Sequence, residues 1–162
     1  MPEQSSAPSL PPSAARRAVL ADVSPRTLYL LAKLRQDVFS IEQGATDPDL
    51  DGRELEEGTE LLWLQEAGEP IAHLRLLREA DGTVRIGRVV VREDRRRGGH
   101  GRRLMATALG RAREIAPDCE VHLDAQAHLE AWYASMGFER VGGVFLEAGI
   151  EHVAMVLRPT SA

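Results

Sequence analysis

The stretch "VVVREDRRRGGHGRRLM", residues 89–105, holds the densest chemistry in the chain. A run of valines gives way to a turn of glycine and arginine, and an amphipathic pattern follows. Amides that open a helix lack partners and sit at the positive end of the helix dipole, so they bind phosphate oxygens. Glycine lets the backbone approach a ligand without a Cβ in the way. Arg96, Arg97, Arg102 and Arg103 add formal charge around those amides. No lysine of a nucleotide P-loop is near, and Leu104 stands where a dinucleotide-binding GxGxxG needs its last glycine. The pattern that fits is Arg-x-x-Gly-x-Gly, read at Arg96, Gly99 and Gly101.

A second stretch, "DPDLDGRELEEG" at 47–58, opens like an EF-hand, with carboxylates at loop positions 1, 3 and 5 and Gly52 at 6. The bidentate glutamate required at position 12 is replaced by Gly58, Glu54 stands at an apolar position, and Pro48 stiffens the loop. Calcium is therefore rejected and no metal is expected. Seven acids still fall within 47–60, offset only by Arg53. They form either a solvated surface loop or an electrostatic lip for a cationic substrate.

The elements around these stretches read in order. Ser24 caps a helix that Pro25 opens, and Leu28, Leu31, Arg35 and Val38 carry it to about Ser40. "ELLWLQE", "PIAHLRLLRE" and "VRIGRVVVRE" are three antiparallel strands separated by "AGEP" and "ADGT". A helix follows the glycine turn and stops at Pro117. Then come a short strand "EVHLDA", a helix over 127–136 closed by Gly137, and a hairpin near 138–146 and 151–158. This predicts an α/β fold with a mixed, mostly antiparallel sheet and helices on both faces. Residues 1–15 read as a disordered tail, with one domain over 16–162. A net charge of −5 gives no bulk basicity for nucleic acid, and no run is long enough for a membrane. The lone Cys119 suits a cytoplasmic setting.

The glycine turn resembles the pyrophosphate-binding motif of the GNAT acyltransferases, which hold acetyl-coenzyme A. A second block, "LDAQAHLEAWYASMGFERVG", is similar to that family's closing motif, through Ala125, Gln126, Trp132, Tyr133, Gly137 and Phe138. Most of the domain resembles the ElaA-like branch, through "LRQDVFSIEQ", "DLDG", "GRVVV" and "GIEHVAM". Arg97 departs from the motif's commonest residue, glycine, Glu93 from a frequent proline, and Glu60 from an expected histidine. The resemblance implies that two central strands splay and that pantetheine lies between them against Val89, Val90 and Val91. It implies phosphates on the amides of Arg97, Gly98, Gly99, His100, Gly101 and Arg102, with Arg96 and Gln126 nearby, and Tyr133 as general acid.

Acyl transfer to an amine then has three needs: a neutral amine, an oxyanion donor (a main-chain N–H around Val90 or Val91) and a proton for the leaving sulfur. Glu42, Glu60, His73 and His152 are candidate bases or substrate contacts. Arg35 and Arg75 either hold a substrate carboxylate or pair with nearby acids, and Asp49 and Asp51 border the acceptor side. The expected activity is acetyl-CoA-dependent N-acetylation of a small-molecule or peptide amine, with a homodimer left open. The alternatives are a non-catalytic acyl-CoA sensor and an acyl-homoserine lactone synthase-like enzyme.

Overall fold

A computed structural model describes residues 14–160. The expected tail lies outside the described residues except for Ala14 and Ala15, and Ala15 already packs against the main core. Among the described residues seven strands form one sheet: β1 (Arg16–Ala18), β2 (Glu60–Glu66), β3 (Glu69–Arg78), β4 (Val84–Val91), β5 (Val121–Gln126), β6 (Glu139–Glu147) and β7 (Ile150–Leu157). Their spatial order is β1-β2-β3-β4-β5-β7-β6. Every pair is antiparallel except β4 with β5, so the mixed, mostly antiparallel sheet is as expected. β1 was not foreseen, because three residues are too few to show an alternating pattern.

Alternation along the strands explains the two layers. On β2, Leu62 and Leu64 join the main core, whereas Leu61 and Trp63 pack with Val23 and Leu31 on the other face. Helix α1 (Pro25–Arg35) covers that second face, and α2 (His100–Ile115) brings Leu104, Met105, Ala108 and Ala112 to the main core. The Ser24 hydroxyl accepts from the Thr27 amide at 3.1 Å, so the predicted cap exists. The expected helix to Ser40 differs in its second half: Gln36–Glu42 is a π-helical segment, with Gln43 N–H donating to Val38 O at 2.9 Å. Leu28 is exposed rather than buried. The last helix is also shorter than 127–136. A 3₁₀ turn at Ala127–Leu129 leads into α3 (Glu130–Ala134), and Gly137 at φ +100° turns the chain into β6. Among the described residues no helix is long and apolar enough to cross a membrane.

β4 contains the irregularity that matters most. Its pairing with β3 runs Arg75↔Gly87 and then His73↔Val90, so Leu74 alone faces both Arg88 and Val89. This is a β-bulge, and its extra residue reverses the side-chain parity of the rest of the strand. Accordingly Val84 and Ile86 lie in the main core, while Val90 packs with Leu34 and Val38 on the α1 face. Arg88 takes a left-handed backbone at φ +53° to make the bulge.

Candidate active site

β4 and β5 are hydrogen-bonded neighbours only at Val84↔Val121 and Arg85↔His122, beyond which they diverge. The wedge between them opens into a cleft of about 610 Å³ that Gly87, Val89, Leu123, Gln126 and Tyr133 line. Arg92 N–H donates to Ile71 O at 2.8 Å, so by strand alternation Val91 turns its own N–H and C=O away from β3 and toward the wedge. The bulge releases Arg88 and Val89 from the β3 ladder as well. Val90 does not share this freedom, because it pairs with His73. Val89 and the N–H of Val91 are therefore free of the β3 ladder, whereas the Val91 C=O accepts from Arg96 Nε at 3.1 Å. An extended amide-bearing chain fits such a half-strand edge.

The glycine turn leaves β4 at the open end of the wedge and leads into α2. Arg97 and Gly99 adopt left-handed backbones at φ +65° and +79° ahead of that helix, a conformation of the kind that forms anion-binding concavities. Gly101 has another function: a Cβ there would sit 3.3 Å from Trp132 Cζ2 and Val91 Cγ2, so its bareness seats the helix start on the wedge. Arg96 donates from Nε to Val91 O at 3.1 Å and pairs through both terminal nitrogens with Glu42, at 2.7 and 2.6 Å. Arg102 reaches Ser135 Oγ at 2.9 Å, and His100 is half-buried as the first residue of α2. Together these groups suit a diphosphate-bearing ligand, with Arg97 and the amides of Gly98–Gly101 able to hold its oxygens.

Arg97 is the departure from glycine noted in the sequence, and here it is strained. A left-handed L-residue costs about 1–2 kcal/mol, against about 0.5–1 kcal/mol for the backbone entropy of glycine. Arg97→Gly should therefore stabilise the fold by roughly 0.5–1 kcal/mol. Chemical denaturation checks it, and an unchanged midpoint would contradict it.

Tyr133 lies between Trp132 and Phe138, with ring centroids 4.8 and 6.1 Å away in edge-to-face contact. It is 5% exposed, lines the wedge, and its hydroxyl has no hydrogen-bond partner among the described residues. Burial pushes its pKa well above the ordinary tyrosine value, so the proton stays on the oxygen at working pH. Gln126 ends β5 beside it and donates to Gln43 Oε1 at 2.8 Å.

The four candidate bases separate sharply. Glu42 is clamped by Arg96, whose hydrogen bonds lower its pKa, and it does not line the cleft. Glu60 faces α2, where it accepts from Arg111 at 2.7 to 3.1 Å, away from the wedge. His73 is fully buried and also off the cleft. Its Nδ1 donates to Leu62 O at 2.8 Å, and burial pulls its pKa down to about 4. Only His152 lines the cleft. Its Nδ1 is 2.7 Å from Ile150 O, which leaves Nε2 as the lone-pair nitrogen, 3.6 Å from Glu147.

His73 carries a pH prediction. The unfolded histidine takes a proton near ~6.5, before the folded one does, so stability is full above that pH and falls between ~6.5 and 4. The loss is roughly 3 kcal/mol. His73→Asn, which keeps a donor near Leu62 O, should flatten the slope in denaturation midpoints measured at pH 4.5, 5.5 and 7. A slope as steep as the wild type's would refute the assignment.

The acidic loop is not an open lip. Arg35 donates from Nε to Asp49 at 2.8 Å and from Nη1 to Glu54, and Arg75 holds both oxygens of Asp51 at 2.7 Å and Glu54 at 2.9 Å. Arg88 completes the set, with Nε 2.9 Å from Asp49 Oδ1 and Nη2 3.3 Å from Asp51 Oδ2. Three positive and three negative groups thus neutralise one another. Arg35 and Arg75, 3% and 4% exposed, hold the loop rather than a substrate carboxylate, and Asp49 and Asp51 are engaged by arginines rather than by an amine. Arg88, Glu147 and Asp124 also line the cleft and were not singled out in the sequence. The bulge that brings in Arg88 leaves no signature in one sequence, whereas Glu147, five residues before His152, could have been paired with it across the last hairpin.

The chain and its fold are similar to known proteins. The sequence matches the acetyltransferase (GNAT) domain family over residues 31–159. It is 45% identical over 152 residues to the UPF0039 protein Rv2851c of Mycobacterium tuberculosis, covering 91% of this chain and 94% of that one. The fold superposes on the crystal structure of an acyl-CoA N-acyltransferase from Pseudomonas aeruginosa at 39% identity and a TM-score of 0.83, covering 88% and 97% of the two chains. It superposes on Escherichia coli ElaA at 34% identity and a TM-score of 0.84, covering 89% and 98%. A diverging central strand pair, a glycine-arginine turn at its mouth and a buried tyrosine beside it place this chain in the GNAT acetyltransferase family, as an acyltransferase of ElaA-like type.

Proposed function

We propose that the protein transfers an acetyl group from acetyl-CoA to a primary amine by direct attack, with Tyr133 giving its proton to the departing sulfur. The observation that supports this reading is a buried, protonated phenol, unpartnered among the described residues, lining the same cleft as Val89, which the bulge frees from the β3 ladder. Coenzyme A supplies the thioester and the diphosphate handle. The turn at Arg97–Gly101 would hold the handle, and the wedge edge would align the arm. The amide released by the bulge would stabilise negative charge on the carbonyl oxygen.

His152 is the base this geometry favours. With Nδ1 donating to Ile150 O, its Nε2 lone pair can take the ammonium proton, and Glu147 sits at 3.6 Å to balance the charge that forms. An alkyl ammonium has a pKa near ~10, so removing its proton is a real barrier at neutral pH. The acceptor is a small or peptide amine, and Pro48 from the loop after α1 and Ala148 from the β6–β7 turn are among the residues that line the cleft it would enter.

The test is an acceptor screen with acetyl-CoA, scored by free thiol and confirmed by product mass. Amine-dependent thiol release with a matching acetylated product supports the reading. Failure of coenzyme A to bind, or binding elsewhere than the glycine turn, overturns it. Binding without thiol release for any amine would favour a sensing module instead.

A further inference from the structure

We infer that Arg88, tied to Asp49 and Asp51, is a positioning residue: it locks the β4 bulge so that the released main chain at Val89 points into the wedge. The inference rests on the proposed acetyl transfer for its catalytic meaning, but its structural part stands alone.

Three observations converge. First, the bulge is built on a non-glycine residue in the left-handed region, Arg88 at φ +53°, which is costly unless the surroundings hold it. Second, the Arg88 side chain is anchored at both ends of its guanidinium. Nη2 donates to Asp49 O at 3.0 Å, Nε lies 3.3 Å from that oxygen and 2.9 Å from Asp49 Oδ1, and Nη2 lies 3.3 Å from Asp51 Oδ2. Third, the anchors are themselves immobilised. Arg35, at the end of α1, holds Asp49, and Arg75, on β3, holds Asp51. Arg75 is also the register partner of Gly87, the residue just before the bulge, and its Nε would lie 3.6 Å from a Cβ there.

The set therefore ties four separate pieces of chain to one point: the helix end, β3, the loop and the bulge. Arg35 and Arg75 already hold the loop. Arg88 links that assembly directly to the bulged backbone beside the wedge. Without it, β4 can relax toward regular pairing. That would return Val89 to the β3 ladder and restore the parity that puts Val90 on the α2 face. A donor displaced by about 1 Å can lose about 10²-fold in rate.

The test compares wild type, Arg88→Gly and Arg88→Lys. Glycine accepts φ +53° without strain, so a loss in Arg88→Gly reports the missing tie and not an impossible backbone. Two readouts are taken: amide nitrogen–proton shifts of residues 87–91 in the free proteins, and steady-state kinetics with acetyl-CoA and the best amine. The expected result is displaced amide shifts at 88–90 in Arg88→Gly and a kcat lowered at least about tenfold. Coenzyme A affinity should stay within about threefold, and Arg88→Lys should recover part of both effects. Unmoved amide shifts at 88–90 overturn the positioning role whatever the enzyme does. Moved shifts with unchanged kcat overturn its catalytic consequence. If wild type binds no coenzyme A, the acetyl-transfer reading falls, and the shifts alone still decide whether Arg88 locks the bulge.

Discussion

Tyr133→Phe should acetylate about 10²–10³-fold more slowly than wild type while binding coenzyme A with unchanged affinity. A free thiol titrates near ~8.5, so expulsion of a thiolate into a closed wedge is unfavourable unless a proton meets it. Among the described residues that line the cleft, the phenol is protonated and makes no hydrogen bond, which leaves its proton available. Desolvation that raises the tyrosine pKa also raises that of the thiol beside it, which keeps the transfer between them balanced. Phenylalanine preserves the contacts with Trp132 and Phe138, so the fold should change by less than about 1 kcal/mol. Kinetics beside calorimetric titration of coenzyme A make the comparison. Equal losses in kcat and affinity would mean that Tyr133 acts through packing, and an unchanged kcat would remove it from the mechanism.

The largest effect on stability is expected from Arg75→Ala. It removes the guanidinium that holds both Asp51 and half-buried Glu54, which keep only the guanidiniums of Arg88 and Arg35 respectively, and losing hydrogen bonds to charged groups costs about 1.5–3 kcal/mol. For a domain of this size that is a fall in Tm of roughly 3–12 °C. The pH dependence has a definite sign. Hydrogen bonds from Arg75 hold the Asp51 carboxyl well below the usual range. Burial pushes Glu54 up, but Arg35 and Arg75 outweigh it and leave it lowered. Carboxyls depressed in the fold contribute above their unfolded values, near ~4, and lose that contribution as pH falls further. The gap between wild type and Arg75→Ala should therefore be widest at neutral pH and shrink below about pH 4. A gap that persists unchanged at pH 3, or a Tm within about 2 °C of wild type at pH 7, would show that the network contributes little.

Much of the fold was legible because it is periodic. The alternation in "ELLWLQE" sorts Leu62 and Leu64 from Leu61 and Trp63, and the structure sends them to opposite faces. The glycine turn stood out by residue type and spacing, and Tyr133 only through the resemblance to the family's closing motif. The bulge was not, since "GRVVV" reads as an unbroken strand and nothing local says that parity flips between Ile86 and Val90. The meaning of the acids was hidden for a different reason. Asp49 meets Arg35 across 14 residues of chain and Arg88 across 39, and one sequence shows charges without their partners. The four base candidates, two glutamates and two histidines, were all plausible by type. Burial sealed His73, arginines claimed Glu42 and Glu60, and only the fold could tell these apart from His152.

The two rungs between β4 and β5 also bear on how the molecule behaves as a mechanical object. Its sheet is nearly cut through the middle, so rigidity across the cut comes from the apolar layer on one side, where Val84, Leu104, Val121 and Phe138 interlock. The wedge is thus stiff at its apex and compliant at its rim. A guest lying along the rim would act as a temporary strand that bridges the two halves of the sheet.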